Sequence, residues 1–316
     1  MSKVIAVAGG TGSFGRTLVD ELKKSPYSVI VLARKVSYNF IQATQAPQEQ
    51  DEKAPVIAVD YSNVAETAQK LASNNVEVII STISVMDAAS SAAQVNLVKA
   101  ASQSGIVKRF IASEWGAPHT PVSPVYRARE DAIIELRKTN LEWTRVANGY
   151  FMDYYGYPHV KTYLQPLFFV VDVPNKAAGI PGTGDEVLAF TYTQDVARFT
   201  VASLSLPKWE EVTYIYGEKS TFNKLVALAE EARGTKFDVK YDSVEKLSKG
   251  EITELPSHHE VYPVFPKPLM QGLFALFSLW IIEGRLDVPE NKSLNAKFPE
   301  IKTTKLSEIV GAWKGL

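Results

Sequence analysis

Short apolar runs alternate with longer amphipathic segments through the N-terminal half of the chain. The run Lys3–Ala8 ends in glycines, and the apolar residues of Arg16–Lys24 recur at helical spacing, which predicts a strand, a tight turn and a helix. The same alternation predicts strands at Ser28–Ala33, Val56–Val59, Val76–Ser81, Val107–Ala112 and Leu141–Val146, and helices at Val64–Ser73, Ala88–Ser104 and Arg129–Lys138. Continuously apolar strands that alternate with helices indicate a parallel sheet covered on both faces. The pattern therefore predicts an α/β fold, a doubly wound parallel sheet of the Rossmann type.

The pattern changes after residue 149, where aromatic residues and prolines become frequent, and it resumes over residues 186–217. We predict a Rossmann domain over residues 1–152, with its sheet completed by residues 186–217. The remaining residues, 153–316, are predicted to form a smaller C-terminal α+β part that binds the substrate.

Charge and composition exclude several classes of partner. The chain has 34 Lys and Arg residues against 35 Asp and Glu residues, so it carries no net basic field that would attract nucleic acid or an anionic membrane. It has no cysteine, which excludes disulfides, thiolate metal ligands and a Cys nucleophile. The first residues lack a secretory signal, and the apolar segment Leu269–Ile282 is shorter than the ~20 residues that span a bilayer. We expect a cytoplasmic protein with no nucleic-acid or membrane partner, in which Leu269–Ile282 is a buried or lid helix.

Glycines recur at three-residue spacing, as Gly9, Gly12 and Gly15, between the first predicted strand and the first predicted helix. The first permits a tight turn, the second lets the backbone approach a pyrophosphate, and the third lets the helix pack close to the sheet. The N–H groups and the dipole of the helix then stabilise a diphosphate. We interpret the turn as a dinucleotide site. Its letters also spell a Walker A loop, but with Arg16 in place of the lysine, so a nucleoside triphosphatase is the weaker interpretation.

The end of the second predicted strand indicates which dinucleotide binds. NAD-binding domains place an acidic residue there, which holds the ribose 2′-hydroxyl. This chain has Arg34 and Lys35 instead. Two cations attract a 2′-phosphate and can share its oxygens, whereas a carboxylate would repel it. The predicted cofactor is therefore NADP(H).

Several segments together resemble one protein family. They are GGTGSFG (Gly9–Gly15), LARK (Leu32–Lys35), VKRFIASEWG (Val107–Gly116), LEWTRVANGYF (Leu141–Phe151) and, more loosely, the segment Phe190–Leu204. Together they resemble the NmrA-like or isoflavone reductase-like group of atypical short-chain dehydrogenases. The resemblance implies a Rossmann fold that binds NADPH, and it specifies fold and cofactor more firmly than reaction.

Carried over residue by residue, the resemblance implies a set of cofactor contacts. It implies Gly9, Thr11, Gly12, Ser13, Phe14 and Gly15 at the diphosphate, Arg34 and Lys35 at the 2′-phosphate, Asp60 and Tyr61 near the adenine, Thr82, Ile83 and Ser84 along the cofactor, and Asn148, Gly149, Tyr150 and Phe151 beside the nicotinamide.

The chain departs from the family where catalysis is expected. Arg129 stands where the resemblance implies a lysine, fifteen residues ahead of Thr144. Arginine keeps its charge and cannot donate a proton, but it can stabilise negative charge or hold the nicotinamide ribose. The YxxxK pair of short-chain dehydrogenases is also absent, since Tyr126 is followed four residues later by Glu130. Other candidates for the proton donor are Tyr150, Tyr154, His119 and water.

Plainer explanations compete with some of these roles. Packing competes with substrate contact at Tyr150 and Tyr154, and the APHTP segment around His119 is typical of a surface turn. The three possible ligands in His258–Glu260 lack a metal-site spacing, so no metal is expected. Six aromatic residues, two of them already named, could line an apolar pocket or pack in a core: Phe151, Tyr154, Tyr155, Phe274, Phe277 and Trp280.

The resemblance and the site residues favour one function over two others. We expect an NADPH-dependent reductase that transfers hydride to a C=C, C=O or C=N bond of a small, largely apolar, aromatic-type metabolite. A regulatory protein that senses NADP(H) and binds a protein partner remains open, as does a non-redox isomerase or cyclase on the same fold.

Overall fold

The computed structural model groups the chain into two compact units. The first consists of Met1–Ala147 and Ala197–Thr213, and the second of Asn148–Val196 and Tyr214–Leu316. The residues that the structure describes are 2–34, 51–119, 121, 126–263 and 265–316.

Strands and helices alternate through most of the described residues. The strands are β1 (Val4–Ala8), β2 (Ser28–Arg34), β3 (Val56–Val59), β4 (Val76–Ser81), β5 (Arg109–Gly116), β6 (Glu142–Ala147), β7 (Tyr150–Phe151), β8 (Val171–Asp172), β9 (Ala177–Pro181), β10 (Leu188–Thr191), β11 (Val212–Tyr214), β12 (Glu218–Ser220) and β13 (Asp238–Asp242). The helices are α1 (Ser13–Leu22), α2 (Val64–Ser73), α3 (Ala88–Gln103), α4 (Tyr126–Leu136), α5 (Thr193–Ser203), α6 (Phe222–Arg233), α7 (Val244–Ser248), α8 (His258–Val261), α9 (Lys267–Ile282), α10 (Leu294–Lys297) and α11 (Leu306–Gly311).

The first unit is built on one large sheet. Within the described residues it has seven strands in the order β11-β6-β5-β4-β1-β2-β3. The pairs that join β1 through β6 are all parallel, with Ala6 in the centre paired to Ile30 on one side and Ile79 on the other. This order, with its reversal between β1 and β4, is that of a doubly wound Rossmann sheet, so the predicted α/β fold is confirmed.

Helices α2, α3 and α4 bury their apolar faces against the sheet. Leu97 and Leu136 are fully buried with Phe110 and Ile79 in one continuous apolar core. Removal of such a side chain typically costs ~2–5 kcal/mol of stability, because the cavity only partly closes. The sheet is therefore a rigid base for the loops at its carboxyl edge.

The segment 186–217, which is predicted to complete the large sheet, divides between two sheets. Only β11 joins the large sheet, at its edge beside β6. Strand β10 pairs instead with β7 and β12, where Phe190 is in register with Tyr150. The Thr191 hydroxyl also donates to the carbonyl of Asn148, which lies just before β7, at 2.6 Å. This hydrogen bond adds to the backbone pairing of β10 with β7. Sequence periodicity does not distinguish strands of different sheets.

The second unit contains two small sheets, β12-β10-β7 and β13-β9-β8. Its interior is aromatic, with the rings of Phe190 and Phe222 in edge-to-face contact at 5.6 Å. The apolar stretch predicted as a buried or lid helix is α9, which buries Met270, Phe274 and Ile281 and leaves Leu269 exposed. Among the described helices, none combines the length and the apolarity needed to cross a membrane.

Candidate functional site

The glycine turn lies where the strand order of the large sheet reverses. Gly9 follows β1 with a φ of 80°, and its N–H donates to the Leu32 carbonyl at 3.0 Å. The Gly12 N–H closes the turn on the Gly9 carbonyl at 2.9 Å. Thr82 follows β4, and both its N–H and its hydroxyl donate to the Ala8 carbonyl. Parallel sheets of this kind bind ligands in the crevice at this reversal point.

The start of α1 leaves room for an anion. Gly12 is its N-cap, makes no side-chain cap and is exposed, with a φ of −79° that any residue can adopt. A Cβ at Gly12 would approach only the Gly9 carbonyl oxygen, at 3.2 Å. A Cβ at Gly15 would instead overlap that oxygen and lie 2.7 Å from the Thr82 hydroxyl. Gly15 is therefore required by packing, whereas Gly12 keeps space free at an uncapped helix N-terminus, which fits a diphosphate.

Phe14 and Trp115 form an aromatic contact beside this turn. Their ring centroids are 4.6 Å apart, and the Trp115 indole donates to the Ser81 carbonyl at 2.9 Å. Trp115 has a φ of 45°, which is a strained value for a bulky residue. Strained backbone of this kind is frequent at functional sites. The side chain of Phe14 is thus engaged with protein, so a diphosphate contact by Phe14 would come from its backbone. Thr11 is exposed and Ser13 half-buried at the same turn. Sequence patterns alone did not indicate Trp115.

Residues predicted at the adenine end lie around the ends of β2 and β3. Arg34 ends β2, is exposed, and pairs with no carboxylate in the described part of the chain. Asp60 accepts hydrogen bonds from the N–H and hydroxyl of Ser62. Tyr61 is buried and donates to the Leu32 carbonyl; burial raises its pKa, and the charge of Arg34 partly opposes that shift. Lys35 lies outside the described residues. Among the described residues, β2 therefore ends in an exposed guanidinium that no carboxylate neutralises.

Thr82, Ile83 and Ser84 continue from β4 along the same edge of the sheet. The Ile83 carbonyl accepts the Ser113 hydroxyl at 2.7 Å, and Ser84 is exposed. Since Thr82 also touches the glycine turn, this segment and the turn form one continuous edge.

A buried group of charges lies near the carboxyl end of β5. The Glu114 carboxylate accepts the His119 backbone N–H at 2.8 Å and lies 2.6 Å from His119 Nδ1. Arg129 donates to it at 3.1 Å, and Arg145 Nη1 lies 3.6 Å away. Burial alone would raise the pKa of Glu114, but the hydrogen bond from His119 and the charges of Arg129 and Arg145 hold it below its usual range. Glu114 is therefore a carboxylate at neutral pH.

His119 is enclosed, so the prediction of a surface turn is wrong. Its side chain is 1% exposed, with Nδ1 against Glu114 and Nε2 at 2.8 Å from Glu130. Two carboxylates from different elements enclose the ring, and the local APHTP letters do not reveal them. Because both ring nitrogens face carboxylates, the geometry disfavours His119 as a direct proton donor to a substrate.

The residues predicted beside the nicotinamide belong to the second unit. Asn148 is fully buried, and neither side-chain amide atom has a hydrogen-bond partner among the described residues. Gly149 has a φ of 68°, and a Cβ there would overlap the Ala189 carbonyl oxygen. Buried amides are normally paired, so both the NH2 group and the carbonyl oxygen of the Asn148 side chain have unused hydrogen-bonding capacity.

Tyr150 and Tyr154 lie in the aromatic interior of this unit. Their ring centroids are 5.7 Å apart, and Tyr150 also packs at 5.4 Å from Phe169. Burial, and then the neighbouring Tyr155 and Tyr154 hydroxyls, raise the pKa of Tyr150 well above its ordinary value. Burial likewise raises the pKa of Tyr154. Both hydroxyls therefore keep their protons at neutral pH.

The six aromatic residues predicted to line a pocket or pack in a core divide into two groups by burial. Tyr155 and Phe274 are each 1% exposed and belong to the core. Four are half-buried and keep part of their surface available: Phe151, Tyr154, Phe277 and Trp280.

The segment His258–Glu260, considered above as a possible metal site, has a packing role at His258. His258 is buried, with Nε2 2.7 Å from the Phe168 carbonyl and Nδ1 accepting the Leu255 N–H. In the part of the chain that the structure describes, no three His, Cys, Asp or Glu residues are grouped to hold a metal.

Asp153 is a buried acid that the sequence patterns did not indicate. It is 0% exposed and accepts from the Thr193 N–H and hydroxyl and from the Thr162 hydroxyl. Burial raises its pKa to about 6, against an ordinary value of 3.8, although these hydrogen bonds oppose the shift. The folded protein therefore binds this proton more tightly than the unfolded chain does.

The raised pKa of Asp153 predicts a pH effect on stability. Its contribution is complete below the unfolded pKa and is lost as pH rises through about 6. Between pH 5 and pH 8 we expect the free energy of unfolding to fall by about 1 kcal/mol relative to Asp153→Asn, which lacks this titration. Urea unfolding of both proteins at the two pH values measures the difference. The raised pKa would be contradicted if the free energy of unfolding of the unmodified protein, minus that of Asp153→Asn, stayed constant or rose between the two pH values.

Comparisons with known proteins identify several similar chains. A family model described as NmrA-like family matches residues 1–279. Oxidoreductase swnN of Metarhizium robertsii is 33% identical over 97% of this chain and 96% of its own length. Oxidoreductase BOA1 of Botryotinia fuckeliana is 34% identical over 82% of this chain and 83% of its own. The solved binary complex of leucoanthocyanidin reductase with NADPH from Vitis vinifera has a TM-score of 0.71 and 18% identity, and covers 98% of this chain and 99% of that one.

Proposed function

The chain belongs to the NmrA-like family, and we propose that it is an NADPH-dependent reductase of a small, largely apolar metabolite. One observation carries the proposal: an uncapped helix N-terminus with a glycine turn lies at the reversal point of a Rossmann sheet, and Arg34 ends the next strand. Two observations support it. Both relatives are named oxidoreductases, and a structural neighbour was solved with NADPH bound.

The residues of the first unit fit the charged half of the cofactor. The N-terminus of α1, with Gly12 and Ser13, would hold the diphosphate, and Arg34 with Lys35 would hold the 2′-phosphate. In the same unit, Arg129 would contact the nicotinamide half. The resemblance implies that Asn148–Phe151, which belong to the second unit, also contact the nicotinamide. When bound, NADPH supplies the hydride that reduces a C=C, C=O or C=N bond.

The proton must come from a group other than Arg129. A guanidinium keeps its proton, but it stabilises negative charge that develops on the acceptor atom. The hydroxyls of Tyr150 and Tyr154 carry a proton at neutral pH, so each is a candidate donor. Because burial raises the pKa of both, each is a weaker acid than an ordinary tyrosine. The half-buried aromatic side chains of the second unit favour a flat, apolar substrate.

Offering candidate acceptors to the protein tests this function directly. Aromatic enones, imines and ketones are each added to protein and NADPH, and the near-ultraviolet absorbance of NADPH is followed. We expect the absorbance to fall with at least one class, and protein without acceptor to leave it unchanged. If NADPH binds but is never consumed, the regulatory alternative replaces the reductase. If an acceptor is converted while NADPH stays intact, the isomerase or cyclase replaces it.

Substitution of Arg129 should separate its role as a fixed cation from that of a proton donor. Arg129→Ala is expected to lower turnover or NADPH affinity at least about ten-fold, the scale of losing one transition-state donor. Arg129→Lys should retain or raise activity, because an amine can exchange a proton. Tyr150→Phe should slow turnover more than it weakens NADPH binding. Steady-state rates beside NADPH titrations measure all three. An Arg129→Ala protein unchanged in both would mean that α4 carries no cofactor contact.

A further inference from the structure

The buried charged residues of the first unit lie on three elements, and their contacts meet at the Glu114 carboxylate. Glu114 belongs to β5, Arg129 to α4 and Arg145 to β6, while His119 lies between β5 and α4. The Glu114 side chain is 2% exposed, so its contacts with these groups replace water. A buried carboxylate with several charge-assisted partners has a single favourable orientation.

We propose that Glu114 is a positioning residue, which holds the Arg129 guanidinium in the orientation that binds the cofactor. This inference rests on the proposed function, since it takes Arg129 as a cofactor contact. It assigns Glu114 no contact with cofactor or substrate; Glu114 acts through Arg129.

The hydrogen bonds of Arg129 make Glu114 its anchor. Arg129 Nη1 donates to the Glu114 carboxylate at 3.1 Å. Among the described residues, Glu114 is the ion-pair partner of Arg129. Its Nε is buried and has no partner there. Because an arginine side chain has several rotatable bonds, loss of the Glu114 carboxylate would release the guanidinium into many orientations.

Glu114 is itself held from two sides. His119 contacts it through both backbone N–H and ring, and Glu130 fixes the far side of that ring at 2.8 Å. Arg145 Nη1 approaches the same carboxylate oxygen that faces the ring. The carboxylate that anchors Arg129 is therefore oriented by contacts within the protein, which is the condition for preorganised binding.

The same two strands provide a matched control at their opposite ends. Arg109 opens β5 and Glu142 opens β6, and they form an ion pair at 2.5 Å. Parallel strands place these residues at the amino edge of the sheet, away from the glycine turn. Glu142→Gln likewise removes one carboxylate charge and breaks an Arg–Glu pair, at a side chain that is 30% exposed.

A double-mutant cycle on NADPH affinity tests the positioning role. Titrations that follow NADPH fluorescence compare the unmodified protein, Glu114→Gln, Arg129→Ala, their double variant and Glu142→Gln. We expect Glu114→Gln to weaken binding by about ten-fold, the scale of one charge-assisted hydrogen bond. Added to Arg129→Ala it should cause less than about a two-fold further change, and Glu142→Gln alone should also stay within about two-fold. Simple loss of a negative charge would instead strengthen the binding of an anionic dinucleotide.

The alternative outcomes overturn the inference in distinct ways. An equal effect of Glu114→Gln with and without Arg129 would show that Glu114 acts through the fold and not through Arg129. No effect, or tighter binding, would show that Arg129 needs no anchor. If Glu114→Gln does not fold, Glu114→Asp keeps the charge but shortens the side chain, and the same cycle applies to it. Failure of the unmodified protein to bind NADPH contradicts the proposed function instead.

Discussion

A Gly12→Val variant is expected to fold normally and to bind NADPH at least about 100-fold more weakly than the unmodified protein. Gly12 is exposed and has a φ that valine can adopt, so the fold has little reason to change. The valine side chain would occupy the space beside the N-terminus of α1, where the diphosphate is expected. Loss of two charge-assisted hydrogen bonds, each worth ~1.5–3 kcal/mol, accounts for a loss of this size. Fluorescence titration and urea unfolding of the same samples measure both quantities.

Gly15→Ala is the matched control, because the added methyl group is directed into the protein. Its Cβ would overlap the Gly9 carbonyl oxygen and lie 2.8 Å from the Gly10 Cα, so we expect stability to fall by ~1–3 kcal/mol. The two variants should therefore separate binding from folding. Full NADPH affinity in Gly12→Val would show that the phosphates bind elsewhere.

Replacement of Arg34 and Lys35 by alanine is expected to erase most of the preference for NADPH over NADH. The 2′-phosphate is the difference between the two cofactors. Arg34, which ends β2, and Lys35, the next residue in the sequence, would bind it with charge-assisted hydrogen bonds. We expect the ratio of the two dissociation constants to fall from about 100-fold to a few-fold, since one such bond contributes ~1.5–3 kcal/mol. NADH affinity should change little.

A double variant at the other end of the sheet controls for net charge. Lys3 and Lys108 precede β1 and β5, so Lys3→Ala with Lys108→Ala removes the same two charges at the amino edge. This control should keep the NADPH preference. If both double variants lose it equally, the overall charge of the protein sets the preference, and the 2′-phosphate is not held at the end of β2.

The features that the sequence predicted are those set by near neighbours in the chain. The runs that became β1, β2 and β4 are continuously apolar because both faces of the sheet are covered, and that pattern is visible in the letters alone. The glycine turn is equally local, because its three glycines lie within seven residues. Helix α1 begins at Ser13, three residues before the predicted start at Arg16, because the turn itself forms the first helical residues.

The features that the sequence did not predict depend on residues that are distant in the chain. Glu114, Glu130 and Arg145 come from a strand, a helix and another strand, and each by itself has the pattern of a surface charge. Only their convergence encloses His119. Asp153 is similar, because its partner Thr193 lies forty residues away. Local patterns carry no information on such pairs. For this reason the sequence did not predict the buried polar groups of the site.

Calorimetric titration of the unmodified protein with NADPH and with NADH, at one ionic strength, decides whether this chain is an NADP(H)-binding protein. We expect one NADPH to bind per chain, about 100-fold more tightly than NADH, because a 2′-phosphate adds charge-assisted bonds worth ~1.5–3 kcal/mol each. Absence of NADPH binding, or equal affinities for the two dinucleotides, would contradict it.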